Sequence, residues 1–276
     1  MIPKTIYQTW ITKNVPQLLR DEITSRILAR NPEYEYEFYD DSDIFYFIKE
    51  NYDNDVLKAY QSLTVGAAKA DFWRYLVLYK NGGVYLDLDS DIVVGLDTFI
   101  KDDDKAIISR EHNADCGTFL QWCLIFEAGH PILEQTISDC LRNIKDPESA
   151  WKSFGARAMH WRSIFHITGP PVFSTAIKKT LADIDIGHSY DRKRVRRRGK
   201  PITRLRLRSP EHRAALLSRY LWNTRDDIIN KELLRSKHKD IRCRFYGFDY
   251  KGKCQFRHKY HELLISEDHP HWTWTV

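Results

Sequence analysis

The chain has 276 residues, 42% of them hydrophobic and 13% aromatic, enough for one large domain or a domain with an appended lobe. No apolar run approaches the ~18 residues of a bilayer span, and Cys116, Cys123, Cys140, Cys243 and Cys254 form no Cys-x-x-Cys pair, which argues against a disulfide frame or a zinc site and for reduced cysteines in a cytosolic protein. The net charge of +5 traces to one segment: Arg192 to Arg208 holds ten Lys/Arg and no acid, and removing those ten from the 43 basic residues leaves 33 against 38 acidic ones.

In chain order, Ile2 to Trp10 reads as a buried strand, entered at once and without the shape of a signal peptide. Leu18 to Ala29 has helical spacing and stops at Asn31-Pro32. Tyr34 to Tyr39 alternates aromatic and Glu, as a strand with one solvated face does. Asp40-Asp41-Ser42-Asp43 supplies an N-cap for a helix from Ile44 to Glu50. Val65 to Lys80 is a strong helix, with Asn81-Gly82-Gly83 as its C-cap. A strand from Val84 to Asp89 follows, then short strands at Ile92 to Val94 and Ala106 to Ser109. Phe119 to Glu127 is apolar, and Ile132 to Ile144 is an amphipathic helix. Thr168-Gly169-Pro170-Pro171 is a loop into a helix from Val172 to Leu181. Beyond it lie the basic segment, a charged helical stretch from Glu211 to Ser236, and a tail from Phe245 to Val276 rich in aromatics and histidine. Strands alternating with helices predict an α/β domain with a mostly parallel sheet.

The most informative stretch is Lys80 to Asp91, Lys-Asn-Gly-Gly-Val-Tyr-Leu-Asp-Leu-Asp-Ser-Asp. On a strand, Val84, Leu86 and Leu88 share one face, and Tyr85, Asp87 and Asp89 the other. Two carboxylates two apart repel each other unless a cation lies between them. Hard oxygen ligands suit Mg²⁺ or Mn²⁺, whose open positions phosphate oxygens can fill. The pattern therefore predicts a site for a divalent ion and a diphosphate, with Asp89, the last strand residue, most open to a ligand. Asp91 reads as a surface residue. Asp71 and Arg74, three apart, share a face of the preceding helix. They form either an intrahelical ion pair or a site in which Asp71 accepts ligand hydroxyls while Arg74 holds it or meets a phosphate.

Ala70-Asp71-x-x-Arg74-Tyr75 followed by Tyr79-x-x-Gly82-Gly83-x-Tyr85-x-Asp87-x-Asp89 resembles the sugar-binding DXD region of glycosyltransferase family 32. That family includes yeast mannosyltransferases and many bacterial and viral glycan enzymes, and the clostridial glucosylating toxins share the arrangement. The opening Ile2-Pro3-Lys4-x-Ile6-x-Gln8-x-Trp10, Asn31-Pro32 and Tyr39-Asp40 fit the same pattern, and a looser match runs through His130-Pro131 and Thr168-Gly169-Pro170. The chain departs from the family at Tyr7, where members often carry His.

The resemblance implies a GT-A fold, one domain over residues 1–276, with a nucleotide-sugar-binding half at 1–115 and an acceptor-side half at 116–276. It implies a metal-dependent, retaining transfer of a hexose from a UDP- or GDP-sugar to a hydroxyl of a glycan or lipid-linked acceptor. Carried over, Trp10 lies against the base with Gln8 near it, Asp71 and Arg74 bind the donor sugar, and Tyr85 and Asp87 contact ribose or a metal-bound water. Asp89 binds the Mn²⁺ or Mg²⁺ directly. Members commonly carry a late His before Gly-Ser-Trp, and here too the chain departs from the family: it has His258-Lys259-Tyr260-His261 and His269-Pro270-His271-Trp272, any of which could close the site, with His258 favoured and His261 and Trp272 behind it.

The basic segment 192–208 reads as a solvated loop or as an attraction to anionic lipid head groups, which would place a cytoplasmic bacterial or viral enzyme at the membrane periphery. The run carries no aromatic residue, which counts against a base-stacking nucleic-acid surface. Two other functions fit parts of the sequence. A metal-dependent nuclease or phosphotransferase would use the two aspartates and the basic run, but leaves Asp71, Arg74 and Tyr85 without a role. A non-catalytic glycan or membrane adaptor of the same fold would bind donor without turnover.

Overall fold

The computed structural model describes residues 1–15, 17, 19–88, 90–92, 95–98, 100–110, 119–153, 164–184, 191–197, 200–206, 243–246 and 256–258. The strands are β1 (Thr5–Thr9), β2 (Glu35–Tyr39), β3 (Gly83–Leu86), β4 (Ser90–Ile92), β5 (Ala106–Arg110), β6 (Phe119–Phe126), β7 (Asp191–Arg197), β8 (Lys200–Arg206), β9 (Cys243–Tyr246) and β10 (Phe256–His258). The helices are α1 (Ser25–Arg30), α2 (Asp41–Asn51), α3 (Asn54–Ser62), α4 (Gly66–Asn81), α5 (Pro131–Lys145), α6 (Pro147–Ser153) and α7 (Pro170–Ile184). The Glu211 to Ser236 stretch, and the tail apart from the residues named in β9 and β10, lie outside the described residues.

Six strands form one sheet in the order β2-β1-β3-β6-β5-β9. β1 pairs in parallel with β2 and β3, and β5 with β9. The sheet is mostly parallel, as expected, with one exception: β6 runs antiparallel to both β3 and β5, and the other five strands share one direction. One consequence matters for the site. The carboxyl ends of β1, β2 and β3 share an edge with the beginning of β6: Thr9 pairs with Tyr39, Leu86 with Cys123, and the Asp87 N–H donates to the Trp122 carbonyl at 2.8 Å.

Alternation divides the strand residues between two cores. Tyr7, Tyr85, Leu124, Phe126 and Ile108 join one cluster with the helix residues Phe72, Trp73, Leu76, Ile137 and Phe173. Ile6, Val84, Leu86, Ile107 and Ile125 join the other, with Leu19 and Ile27. The face of β3 that carries Tyr85 is thus covered as fully as its aliphatic face. A sheet buried on both sides has near-continuous apolar strands, and Phe119 to Phe126 reads that way. Each large side chain so buried contributes roughly 1.5–3 kcal/mol.

Local chemistry sets the element boundaries. Asp40 caps α2 through the Ser42 and Asp43 N–H groups, and Asp43 returns a bond to the Asp40 N–H. His130 accepts from the Ile132 N–H at the start of α5, and Pro131 takes the first helical position, where no N–H is needed. Helix α4 is buried from Asp71 through Leu78, so it runs through the interior rather than along the surface. It stops at Gly82, whose φ is +70°, and Gly83 follows at +106°. A Cβ on Gly83 would lie 2.7 Å from the Thr5 carbonyl oxygen, so β3 lies against β1 only because that atom is missing.

The strand expected from Val84 to Asp89 stops at Leu86; the next described strand spans Ser90–Ile92, and Val93 and Val94 of the expected Ile92 to Val94 strand lie outside the described residues. The basic segment forms an antiparallel hairpin of β7 and β8, not an open loop. Among the described residues no helix is long and apolar enough to cross a membrane.

Candidate active site

The site is built around a buried arginine. Arg74, on α4, reaches two carboxylates with one nitrogen: Nη2 lies 3.1 Å from Asp71 Oδ1 and 3.0 Å from Asp87 Oδ1. The first contact is the helical i, i+3 pair expected from sequence. The second crosses to the residue just past β3. Arg74 Nη1 also donates to the Gln121 carbonyl at 2.8 Å, and the guanidinium carbon lies 4.6 Å from the centre of the Tyr85 ring. With its side chain 4% exposed, such a cation requires this density of partners. Burial works against its charge, but Asp87, Tyr85 and Asp71 outweigh that and raise its pKa, so it stays protonated.

Asp71 is equally enclosed. Its Oδ1 accepts from the Gln121 amide as well as from Arg74, and its Oδ2 accepts from the Thr168 hydroxyl at 3.2 Å. Burial pushes its carboxyl up, Arg74 pulls it down and the negative charge of Asp87 pushes it up, which together leave it at about 7. Gln121 was not singled out from sequence, and Thr168 only as part of the Thr168-Gly169-Pro170 match, with no role assigned. Gln121 is the polar interruption in the apolar run Phe-Leu-Gln-Trp-Cys-Leu-Ile-Phe, which is the signal that marks it. Its side-chain oxygen accepts from the Tyr75 hydroxyl at 2.6 Å, and the same hydroxyl lies 3.0 Å from the Thr168 carbonyl. Thr168-Gly169-Pro170 thus closes the network from the start of α7.

Asp87 is the carboxylate nearest solvent, its side chain 27% exposed. Oδ1 takes the Arg74 contact and a 2.7 Å bond from the Tyr85 hydroxyl. Tyr85 is itself buried, so it meets the site through Asp87. Gln8 is also buried: its amide nitrogen donates to the Asp87 carbonyl at 3.3 Å, while its oxygen accepts from Thr24 and Tyr36. It fixes the backbone that presents Asp87. Trp10, half-buried, follows β1 at the same sheet edge, and its N–H donates to the Tyr39 carbonyl at 3.3 Å.

Asp89, His261 and Trp272 lie outside the described residues. The backbone of His258 is described. It is the last residue of β10, which pairs antiparallel with β4 in the register His258 opposite Ser90. The tail residue and the residue that follows Asp89 are therefore neighbours in one ladder, 168 positions apart. The Ser90 hydroxyl is buried and has no hydrogen-bond partner among the described residues. The partly exposed Asp87 carboxylate and the buried, unpartnered Ser90 hydroxyl are oxygen donors of the kind a hard divalent ion takes. No group of three His, Cys, Asp or Glu side chains converges among the described residues alone.

Residues 18–106 match the family model described as the glycosyltransferase sugar-binding region containing a DXD motif. An uncharacterized glycosyltransferase of Acanthamoeba polyphaga mimivirus is 38% identical over 91 residues, 32% of this chain and 36% of that protein. The initiation-specific alpha-1,6-mannosyltransferase of Candida albicans is 27% identical over 215 residues, covering 66% of this chain and 54% of its own length. The match spans about half or less of these curated relatives. The solved PaToxG glycosyltransferase superposes with a TM-score of 0.51 at 20% identity, covering 67% of this chain and 72% of that one, a likeness of fold.

Proposed function

We propose that this chain is a member of the DXD-containing glycosyltransferase family and transfers a hexose from a UDP- or GDP-sugar to a hydroxyl of a glycan or lipid-linked glycan acceptor. One observation carries the reading: Arg74 holds Asp71 and Asp87 together at the carboxyl edge of the sheet, where α/β folds bind nucleotides. An ion pair needed only for stability does not require a second carboxylate turned toward solvent. Mannose is the first sugar to test, because the Candida albicans relative is named a mannosyltransferase.

In this reading Asp71 accepts hydroxyls of the donor sugar, and Arg74 keeps it oriented. Asp87, set by Tyr85 and Gln8, faces the ribose and diphosphate, and Trp10 lies against the base. Bound through Asp89 and Asp87, with His258 as a third contact, Mn²⁺ or Mg²⁺ would supply neutralising charge for the departing diphosphate. The acceptor oxygen bonds to the anomeric carbon, the bond from that carbon to the phosphate oxygen breaks, and the acceptor proton passes to the released phosphate. Configuration is retained, as the resemblance implies. Residues 1–115 carry the donor side, and 116–276 shape the acceptor side of the same domain.

The test is donor hydrolysis by the purified protein across a panel of UDP- and GDP-sugars, with Mn²⁺ or with EDTA, beside Asp89→Ala. Release of nucleoside diphosphate from one donor, lost with EDTA and in the variant, supports the reading and names the sugar. Failure of UDP and GDP to bind in a calorimetric titration with Mn²⁺ would sink it. Binding without any transfer to glycan acceptors would favour the adaptor.

A further inference from the structure

The chain's positive charge is concentrated in the β7–β8 hairpin. Without the Arg192 to Arg208 run the remaining 33 basic residues are outnumbered by 38 acidic ones, so this element is a cation on an anionic body. Its register sorts the charges. Residues directly opposite each other in an antiparallel pair share a face. One face carries the pairs Asp191–Arg206, Lys193–Arg204, Val195–Ile202 and Arg197–Lys200. The other carries Arg192–Leu205, Arg194–Thr203 and Arg196–Pro201. The first face thus has an apolar β-branched pair flanked by two cations on each side, Lys193 and Arg204 toward one end and Arg197 and Lys200 toward the other, with the self-compensating Asp191–Arg206 pair beyond Lys193 and Arg204. The second has its arginines on one strand only.

Like charges paired across strands are destabilising. Lys193 opposite Arg204 and Arg197 opposite Lys200 therefore weaken the hairpin unless an anion meets them. A two-stranded ribbon is marginal by itself, and among the described residues β7 and β8 pair with no third strand. An anionic surface would relieve the repulsion and stabilise the ribbon. Neither strand carries an aromatic residue, so the element lacks the stacking platform by which single-stranded nucleic acid is held. An apolar pair ringed by cations instead matches a bilayer interface, where short aliphatic side chains enter the headgroup–acyl boundary while Lys and Arg meet lipid phosphates.

We propose that the β7–β8 hairpin is a docking surface for an anionic lipid bilayer, through the face that carries Lys193, Arg204, Arg197 and Lys200 around Val195 and Ile202. The surface is independent of the donor site, and its test can fail while the transferase reading stands.

The experiment is co-sedimentation of the full chain with vesicles of phosphatidylcholine alone or of an equimolar mixture with phosphatidylserine. The mixed vesicles should bind, the neutral ones should not, and binding should fall as salt rises. Each cation removed from a membrane surface weakens partition by roughly fivefold. Lys193→Ala/Arg204→Ala/Lys200→Ala should therefore lose about 100-fold. Arg192→Ala/Arg194→Ala/Arg196→Ala removes the same charge from the opposite face and should lose distinctly less. Donor hydrolysis by both variants should match the parent chain. Absence of binding to mixed vesicles overturns the proposal, as does equal loss from the two faces. Displacement of the protein from vesicles by a short RNA or DNA duplex would assign the hairpin to nucleic acid instead. If the first triple variant does not fold, the salt dependence and the neutral-vesicle control on the parent chain decide by themselves.

Discussion

Arg74 and Asp87 join the interior of the molecule to its ligand-facing edge. The arginine is fixed on a helix buried all round, the aspartate stands just past the end of the central strand, and their charged atoms are 3.0 Å apart. Asp87 therefore cannot move without disturbing the core, and the core cannot repack without moving Asp87. Such coupling preorganises a binding carboxylate, because its orientation is set before ligand arrives.

Arg74→Ala should be costly for this reason. It strips the cation from buried Asp71 and from Asp87, and breaking a buried pair from one side typically costs ~3–5 kcal/mol. Urea denaturation should record a loss of that order, with donor turnover abolished. Without Arg74 the Asp71 carboxyl rises further and binds a proton, so adding Asp71→Asn to Arg74→Ala should change stability little near pH 7 and restore none of the activity. A double variant markedly more stable than Arg74→Ala would mean that Asp71 stays charged without its cation.

The elevated carboxyl of Asp71 gives a signed pH dependence. Its ordinary value is 3.8, and burial moves it to about 7 in the folded state. Between those values the native chain keeps a proton that the unfolded chain has lost. This group's contribution to stability therefore falls as pH rises from about 4 to about 7, by at most ~1.4 kcal/mol per unit, and is flat above. Asp71→Asn has nothing to titrate and should show a flatter profile across that window. Donor affinity should move the other way in the parent chain, rising toward pH 7 as the carboxylate that accepts sugar hydroxyls ionises. Parallel urea midpoints for the two proteins from about pH 5 to about pH 8 would refute the assignment.

The readable parts of the sequence were the local ones. The capping of α2 by Asp40, the stop at Gly82-Gly83, and the Asp71–Arg74 pair each depend on residues a few positions apart. The reversal of β6 was not readable, because an apolar strand has the same pattern in either direction. Gln121 lies 50 positions from Asp71 and Thr168 lies 97 away, and no periodicity connects them. Burial of the Tyr85 side of β3 also escaped, since a tyrosine and an aspartate on one face read as a wet surface until a helix covers them. The two faces of the hairpin appear only once Val195 is seen opposite Ile202.

Gln121→Leu tests the part of the network that sequence missed. It removes the amide donor to Asp71 and the acceptor of the Tyr75 hydroxyl. Tyr75 keeps the Thr168 carbonyl, and Asp71 keeps Arg74, so neither is orphaned. The expected loss is ~1–3 kcal/mol. Gln121→Glu should do more damage, because it places a second carboxylate against Asp71 and drives that group further toward its protonated form. Donor binding should weaken in the order parent, Leu, Glu, read by calorimetric titration. Equal affinity in all three would remove Gln121 from the site.

Gly83 and Gly129 separate backbone strain from steric contact. Both have positive φ, +106° and +69°. An added methyl at Gly129 meets nothing within 4 Å, so Gly129→Ala should cost only the left-handed backbone, ~1–2 kcal/mol. At Gly83 the same methyl would lie 2.7 Å from the Thr5 carbonyl oxygen and 3.0 Å from the Tyr7 ring. Neither contact can be relieved without parting β1 from β3, so Gly83→Ala should lose at least ~1–3 kcal/mol more, the usual range for overpacking. It should also carry a functional penalty that Gly129→Ala lacks. The parting would break the alignment of Gln8 with the Asp87 carbonyl, and donor affinity should fall even at temperatures where the variant is fully folded. Thermal melts of the two variants, followed by donor titration well below their midpoints, distinguish a displaced carboxylate from a merely weakened fold.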